Sequence, residues 1–277
     1  WAVVTDQQVY NEFSSGTPDA TAYRKLMKML YDNAKTGIST VAPRWLLLMG
    51  DGTFDNRKLL STSGPNTLLT YPAVNSENEI KAINNDGYFG YLEEDQAAEM
   101  VATMQIGVGR LPVSTAEEAQ AMVNKIEEYI CSSEQESWRR ELVFMADNYD
   151  DNMHISDADA AAEVTAKTVP DYVLHKIYLD AYPKQVTSSS ESCPIAKNQL
   201  DNYFQNGILM LNYSGHGGYN AVTSESMITL NSIREMTNKI RPLWFFATCS
   251  FAHFDSGKRC AAEEAVLNAH GGAIGVI

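Results

Sequence analysis

An α/β fold, with a mostly parallel sheet covered by helices on both faces, is what this sequence predicts, and three observations carry that prediction. First, apolar runs alternate with stretches of helical period through the second half of the chain, the order that builds parallel sheets. Second, several of those runs, such as 208–211 and 243–247, are continuous rather than alternating, the mark of strands buried on both faces. Third, the polar stretch 131–136 interrupts the pattern and divides the chain into two adjacent α/β subdomains, residues 1–136 and 137–277.

Taken in order, residues 1–5 read as a short strand. Thr17-Pro18-Asp19 opens a helix, with Thr17 as N-cap, Pro18 at the first position and Asp19 in the first turn. Tyr23, Leu26, Met27, Leu30 and Tyr31 then recur at helical spacing and form one buried face. The run 45–49 is wholly apolar and reads as a central strand. Residues 56–80 are rich in Ser, Thr, Asn, Pro and Gly and read as a long surface loop. A further strand is expected over 104–108. Thr115 and Glu118 stand at capping-box spacing ahead of a helix whose apolar face carries Ala119, Met122, Val123, Ile126 and Ile130.

In the second half, 141–146 is a strand, 147–151 an acidic loop, and 156–168 a helix capped by Ser156. A strand follows at 172–178 and a helix at 194–206, with Pro194 at its start. After the 208–211 strand come helices near 229–238 and 261–268, on either side of the 243–247 strand. The last strand is 273–277.

Composition narrows the function classes. The chain has 277 residues, 44% hydrophobic and 20% charged, enough for a sizeable core. Its net charge of −14 argues against nucleic acid as a partner, because sequence-independent binding to phosphates needs a basic face. No apolar run approaches the roughly 18 residues of a membrane span. Four cysteines, at 131, 193, 249 and 260, show no CxxC pair and leave room for at most a sparse disulfide pattern. The chain opens without Met and closes on an apolar run, so both ends read as cut from a longer protein. The expectation is that residues 1–277 alone hydrolyse peptides poorly while their thiol still labels.

Two strands end in reactive side chains. His216 lies in Ser214-Gly-His-Gly-Gly218, where glycines permit a tight turn. Cys249 follows its strand with only Thr248 between. In an open parallel sheet the loops at the carboxyl ends of neighbouring strands meet in one crevice. The 33 positions from 216 to 249 hold one crossover helix. A thiol and an imidazole delivered to one crevice suit nucleophile and base. Two other readings stand beside this one: a buried structural cysteine, and a zinc site drawing on His216, Cys249, His253 and Cys260. The acidic residues Glu93, Glu94 and Asp95, after the aromatic turn 84–91, suit a solvated loop or a structural calcium ion.

The strand–Ser-Gly-His216-Gly and strand–Thr-Cys249 pattern resembles the histidine and cysteine motifs of caspase-like cysteine peptidases. Leu211-Asn-Tyr-Ser-Gly-His-Gly-Gly218, with Asn238 and Pro242 ahead of the cysteine strand, resembles the gingipain family in particular. Leu46-Leu-Leu-Met-Gly-Asp-Gly-Thr-Phe-Asp55 and Ile106-Gly-Val-Gly-Arg-Leu-Pro-Val113 agree. Within the family, Gln8-Val-Tyr-Asn-Glu-Phe-Ser-Ser-Gly-Thr-Pro-Asp19 resembles the sortase-like peptidases of type IX secretion. The family often has Ala where this chain has Thr248, which touches the wall of the substrate pocket.

The resemblance implies a caspase/gingipain-like fold and a cysteine endopeptidase that removes C-terminal sorting signals from exported proteins. Cys249 would be the nucleophile and His216 the base and acid. Gly215, Gly217 and Thr248 would border substrate and oxyanion, with the N–H groups of Gly217 and Cys249 as oxyanion donors. Asp147 would orient the imidazole, with Asp150 and Asp151 as competitors. The resemblance further implies protein or peptide substrates, type IX secretion components as partners, and export to the outer-membrane surface or periplasm. No cofactor is required by that chemistry, and calcium would be structural. A degradative gingipain-like protease and a non-catalytic α/β interaction domain are the alternatives.

Overall fold

The computed structural model describes residues 1–61, 63–72, 84–93, 103–132, 137–188 and 190–277. The chain forms two compact units, residues 1–119 with 254–258, and residues 120–253 with 259–277.

The first unit begins with helix α1 (Asp6–Phe13), not the expected strand. Residues 1–5 are irregular, and Thr5 and Gln8 start the helix that follows them. The Thr5 side chain accepts the Gln8 N–H while the Gln8 side chain accepts the Thr5 N–H, so two orphan donors are satisfied at once. Helix α2 (Thr21–Lys35) starts later than Thr17 predicts, and Asp19 accepts the Thr21 N–H at its first turn. Tyr23 and Met27 are buried as the period requires. Strand β1 (Trp45–Met49) pairs in parallel with β2 (Gly107–Leu111), which lies three residues beyond the expected 104–108. Among the described residues β1 has no other neighbour, and Trp45, Leu47 and Met49 are exposed. Its continuous apolar run therefore buries only the alternate positions. Leu48 joins a core with Val9, Tyr10, Tyr23 and Phe89, against which Leu46 packs.

Helix α3 (Ala116–Cys131) begins with Thr115 Oγ1 accepting the Glu118 N–H, while Glu118 accepts the N–H of Ser114 rather than of Thr115. The unit division falls inside this helix, between residues 119 and 120, and not at 131–136. Residues 133–136, where the sequence places that boundary, lie outside the described residues, as do 62 and 73–80 of the expected long loop. On α3, Met122 is buried but Val123 and Ile130 are exposed, and the inward position one turn on is Lys125. Its Nζ donates to the carbonyls of Ala265, Val266 and Asn268.

The second unit is built on strands β3 (Glu141–Ala146) and β4 (Val173–Tyr178), the short antiparallel pair β5 (Gln185–Val186) and β6 (Glu191–Ser192), and β7 (Met210–Ser214). These are followed by the small strands β8 (Gly217–Gly218), β9 (Ala221–Val222) and β10 (Ile228–Thr229), then β11 (Leu243–Ala247) and β12 (Gly275–Val276). Its helices are α4 (Met153–Thr168), α5 (Pro194–Asn206), α6 (Leu230–Arg234) and α7 (Ala261–Leu267). The main sheet has the order β12-β11-β7-β3-β4 and every neighbouring pair is parallel. Alternate residues of β3 point to opposite faces. Val143 and Met145 pack with Leu200 of α5, Ile233 of α6 and Ala265 of α7, whereas Leu142 and Phe144 pack with Ala162 of α4. Helices thus cover both faces, as the run of five buried residues from Leu142 to Ala146 demands.

Candidate active site

Strands β7 and β11 are direct neighbours, with Ser214 opposite Ala247 at their last paired position. The loops carrying His216 and Cys249 therefore leave the same carboxyl edge side by side, two residues past paired strand ends. The Gly215 N–H still bonds the Ala247 carbonyl at 3.2 Å. Cys249 is exposed and the next apolar residue, Phe251, is buried and anchors the loop. All four cysteines are free thiols.

The glycines beside His216 are dictated by space. A Cβ at Gly215 would stand 2.3 Å from the Tyr213 hydroxyl and 2.4 Å from Asp147 Cβ. A Cβ at Gly217 would stand 2.3 Å from Thr248 Oγ1 and 3.2 Å from the Cys249 carbonyl oxygen. Gly217 thus lies directly against the nucleophile loop, with its neighbour Gly218 paired in the β8–β9 ribbon.

The acidic residues divide their work. Asp147, just past β3, is buried and accepts the backbone N–H of His216 at 3.1 Å through Oδ2 and that of Asn148 at 2.9 Å through Oδ1. Tyr213 donates to His216 O at 2.6 Å and lies 3.3 Å from Asp147 Oδ2. Burial pushes the Asp147 carboxyl up, against the pull of the two N–H donors. Asp147 therefore fixes the main chain of His216, not its ring as the family pattern implies. The ring is met by Asp150, whose Oδ2 lies 2.5 Å from His216 Nε2. The reason is geometric: the chain after β3 turns through four consecutive non-glycine residues with positive φ, Tyr149 to Asn152, which swing Asp150 out beside the imidazole. Backbone of this kind costs of order 1–3 kcal/mol per residue and persists only where its surroundings over-determine it. Asp151, the other competitor, makes no hydrogen bond or ion pair with the ring.

That support comes from residues that no sequence motif marks. Buried Asn148 donates to Glu225 Oε1 at 2.7 Å, and Lys184 pairs with the same oxygen at 2.8 Å. Burial alone would raise the Glu225 carboxyl, but the bonds from Lys184 and Asn148 hold it below its usual range. Lys184 also lies 4.2 Å from the centre of the Tyr149 ring, whose hydroxyl bonds Glu191. His154, one helical turn past Asp150, brings its Nε2 to 3.2 Å from Asp150 Oδ2.

The zinc set weighed from sequence is not what the structure assembles. Cys260 is buried at the start of α7, and burial pushes its thiol up. His253 stacks near Tyr219, with ring centres 4.9 Å apart. Among the described residues the metal-type ligands that converge are Asp150, His154 and His216. Of the expected calcium loop, Glu94 and Asp95 lie outside the described residues. Glu93 is paired with Lys35 at 3.0 Å and Asp86 with Arg110 at 2.6 Å, so these two carboxylates already face cations.

The family model for peptidase family C25 matches residues 1–277. No curated protein matches the chain in sequence. The crystal structure of the Arg-specific cysteine proteinase gingipain R (RgpB) is similar over 96% of this chain and 54% of its own, with TM-score 0.66 and 17% identity. The complex of Porphyromonas gingivalis RgpB pro- and mature domains is similar over 96% and 55%, with TM-score 0.63 and 16% identity. Dimeric latent PorU from Porphyromonas gingivalis shares 40% identity over 46% of this chain and 12% of its own, with TM-score 0.39. The chain spans about half the length of the gingipain structures it matches.

Proposed function

The chain belongs to peptidase family C25, and on that premise we propose that it is a cysteine endopeptidase with Cys249 as nucleophile and His216 as base and acid. One observation carries the proposal: an exposed thiol and an imidazole each stand two residues past the last paired position of adjacent parallel strands, at the same carboxyl edge. In this mechanism His216 takes the thiol proton and Cys249 Sγ attacks the peptide carbonyl. The N–H groups of Gly217 and Cys249 receive the oxyanion, where fixed donors stabilise developing charge. His216 then protonates the leaving amine, and water deprotonated by His216 hydrolyses the thioester. Asp150 sets the ring and offsets its positive charge, the part the third member of a triad plays. Asp147 positions the same residue through its backbone. No step draws on a cofactor, and a calcium ion at the 84–95 loop would be structural.

The narrower reading is a sortase-like peptidase that removes C-terminal sorting signals from exported proteins, at the outer-membrane surface or in the periplasm, alongside type IX secretion components. It is supported by the sequence of Gln8 to Asp19. Cleavage of a defined panel, with sorting-signal junctions beside generic peptides, separates it from a degradative protease. For the chemistry itself, Cys249→Ala and His216→Ala should each abolish single-turnover cleavage, and iodoacetamide should label Cys249 far faster than the exposed Cys131. Substantial cleavage by Cys249→Ala would remove the nucleophile assignment. Equal labelling of the two thiols would favour a non-catalytic interaction domain.

A further inference from the structure

His154 has no part in the peptide chemistry, yet it shares the carboxylate that sets the reactive imidazole. Its Nε2 and the Nε2 of His216 lie 3.2 Å and 2.5 Å from one and the same oxygen, Asp150 Oδ2. The rings stand edge to face, 5.1 Å apart at 85°. One ligand atom from each of the three residues lies within 4.8 Å of the other two. His154 Nε2 is buried and, despite its closeness to Asp150, makes no hydrogen bond. Its side chain is 13% exposed, against 43% for Asp150 and 58% for His216. The cluster thus has one fixed inner ligand and two outer ones open to solvent.

We propose that Asp150, His154 and His216 bind one divalent transition-metal ion of the zinc type, and that the ion inhibits the enzyme by occupying His216. The inhibition rests on the peptidase reading; the metal site does not. Two imidazoles and one carboxylate suit zinc and its neighbours, whereas calcium and magnesium prefer all-oxygen sets. A tetrahedral ion with bonds of about 2.1 Å needs ligand atoms roughly 3.4 Å apart. The Asp150–His154 pair already has that spacing. His216 must withdraw by roughly 1 Å, which an exposed side chain can do by a small rotation. Three protein ligands leave the fourth position to water, the arrangement of an accessible site. An imidazole whose lone pair is given to a metal neither accepts the Cys249 proton nor protonates the amine, so turnover stops without any change at the thiol.

The test is calorimetric titration of zinc chloride into the metal-stripped 277-residue chain, with hydrolysis and melting followed alongside. Wild type and Cys249→Ala should each bind one ion with similar affinity. His154→Ala and the better-matched His154→Gln should each lose about tenfold or more in affinity, and the zinc needed to halve hydrolysis should rise in step. No binding by wild type, unchanged affinity in both His154 variants, or loss of binding in Cys249→Ala would overturn the proposal, the last by placing the ion on the thiol. Binding that depends on His154 in a chain whose Cys249 labels no faster than Cys131 would support the metal site and remove the peptidase reading. Hydrolysis without binding would do the reverse.

Discussion

Replacing Gly217 by alanine tests whether the close approach of the histidine and cysteine loops sets the reaction geometry. The new Cβ would stand 2.3 Å from Thr248 Oγ1 and 3.2 Å from the Cys249 carbonyl oxygen, where ordinary contact begins at 3.4 Å. The first contact is short by roughly 1 Å, and a displacement of that size between reacting groups costs on the order of 100-fold in rate. That corresponds to about 2.7 kcal/mol of transition-state stabilisation. Thr248→Ala removes the obstructing hydroxyl and methyl. That hydroxyl is buried and has no hydrogen-bond partner, so its loss leaves nothing newly unsatisfied. Only the contact with the Cys249 carbonyl then remains, and it asks for a shift of a few tenths of an ångström. The expected result is a loss of about 100-fold in Gly217→Ala, recovered to within about tenfold of wild type in Gly217→Ala/Thr248→Ala. Single-turnover cleavage of one peptide by all four forms measures it, with melting curves to confirm folding. Wild-type turnover by Gly217→Ala, or a double variant no better than the single, would refute the reasoning.

Two further outcomes follow from the carboxylates and from Lys125. Asp150→Asn should slow turnover by about 10- to 1000-fold with little change in melting, since it touches an exposed ring and removes a charge that stabilises the imidazolium. Asp147→Asn should instead cost about 1–3 kcal/mol of stability, because one amide oxygen cannot accept both the Asn148 and His216 N–H groups; the reverse ranking would exchange the two roles. Burial, helped by the charge of Arg241, pushes the Lys125 amine down to about 7. Above that pH the folded protein sheds a proton that the unfolded chain keeps until about pH 10, so this group adds stability as pH rises between the two, by at most about 1.4 kcal/mol per pH unit. Denaturant unfolding at pH 7 and 9 should show this gain in wild type and not in Lys125→Met. A variant with the same slope would show that Lys125 does not titrate there.

Local sequence was sufficient wherever neighbouring residues settle the structure. Strands β3 and β11 and helix α5 fall where apolar runs and the Pro194 start place them. The parallel order follows from their alternation, because a strand–helix–strand connection has few other ways to cover its sheet. His216 and Cys249 were legible for the same reason: each follows a recognisable strand, and parallel neighbours deliver such residues to one edge. At the chain start the local rule misled, since the short apolar run 1–5 finds no strand to pair with among the described residues and stays exposed. On β1, a continuous apolar run says nothing about which faces find partners.

What tertiary structure alone decided is which carboxylate does what. Asp147, Asp150 and Asp151 lie within five positions, and sequence spacing cannot rank them. The ranking comes from four left-handed residues that no sequence rule foretells in a stretch without glycine. It depends also on Lys184 and Glu225, brought to the loop from 35 and more positions away. The same fold puts His154 on the oxygen that His216 uses. Such pairings depend on where separate chain segments end in space, and that is fixed by the packing of the whole unit rather than by any one segment.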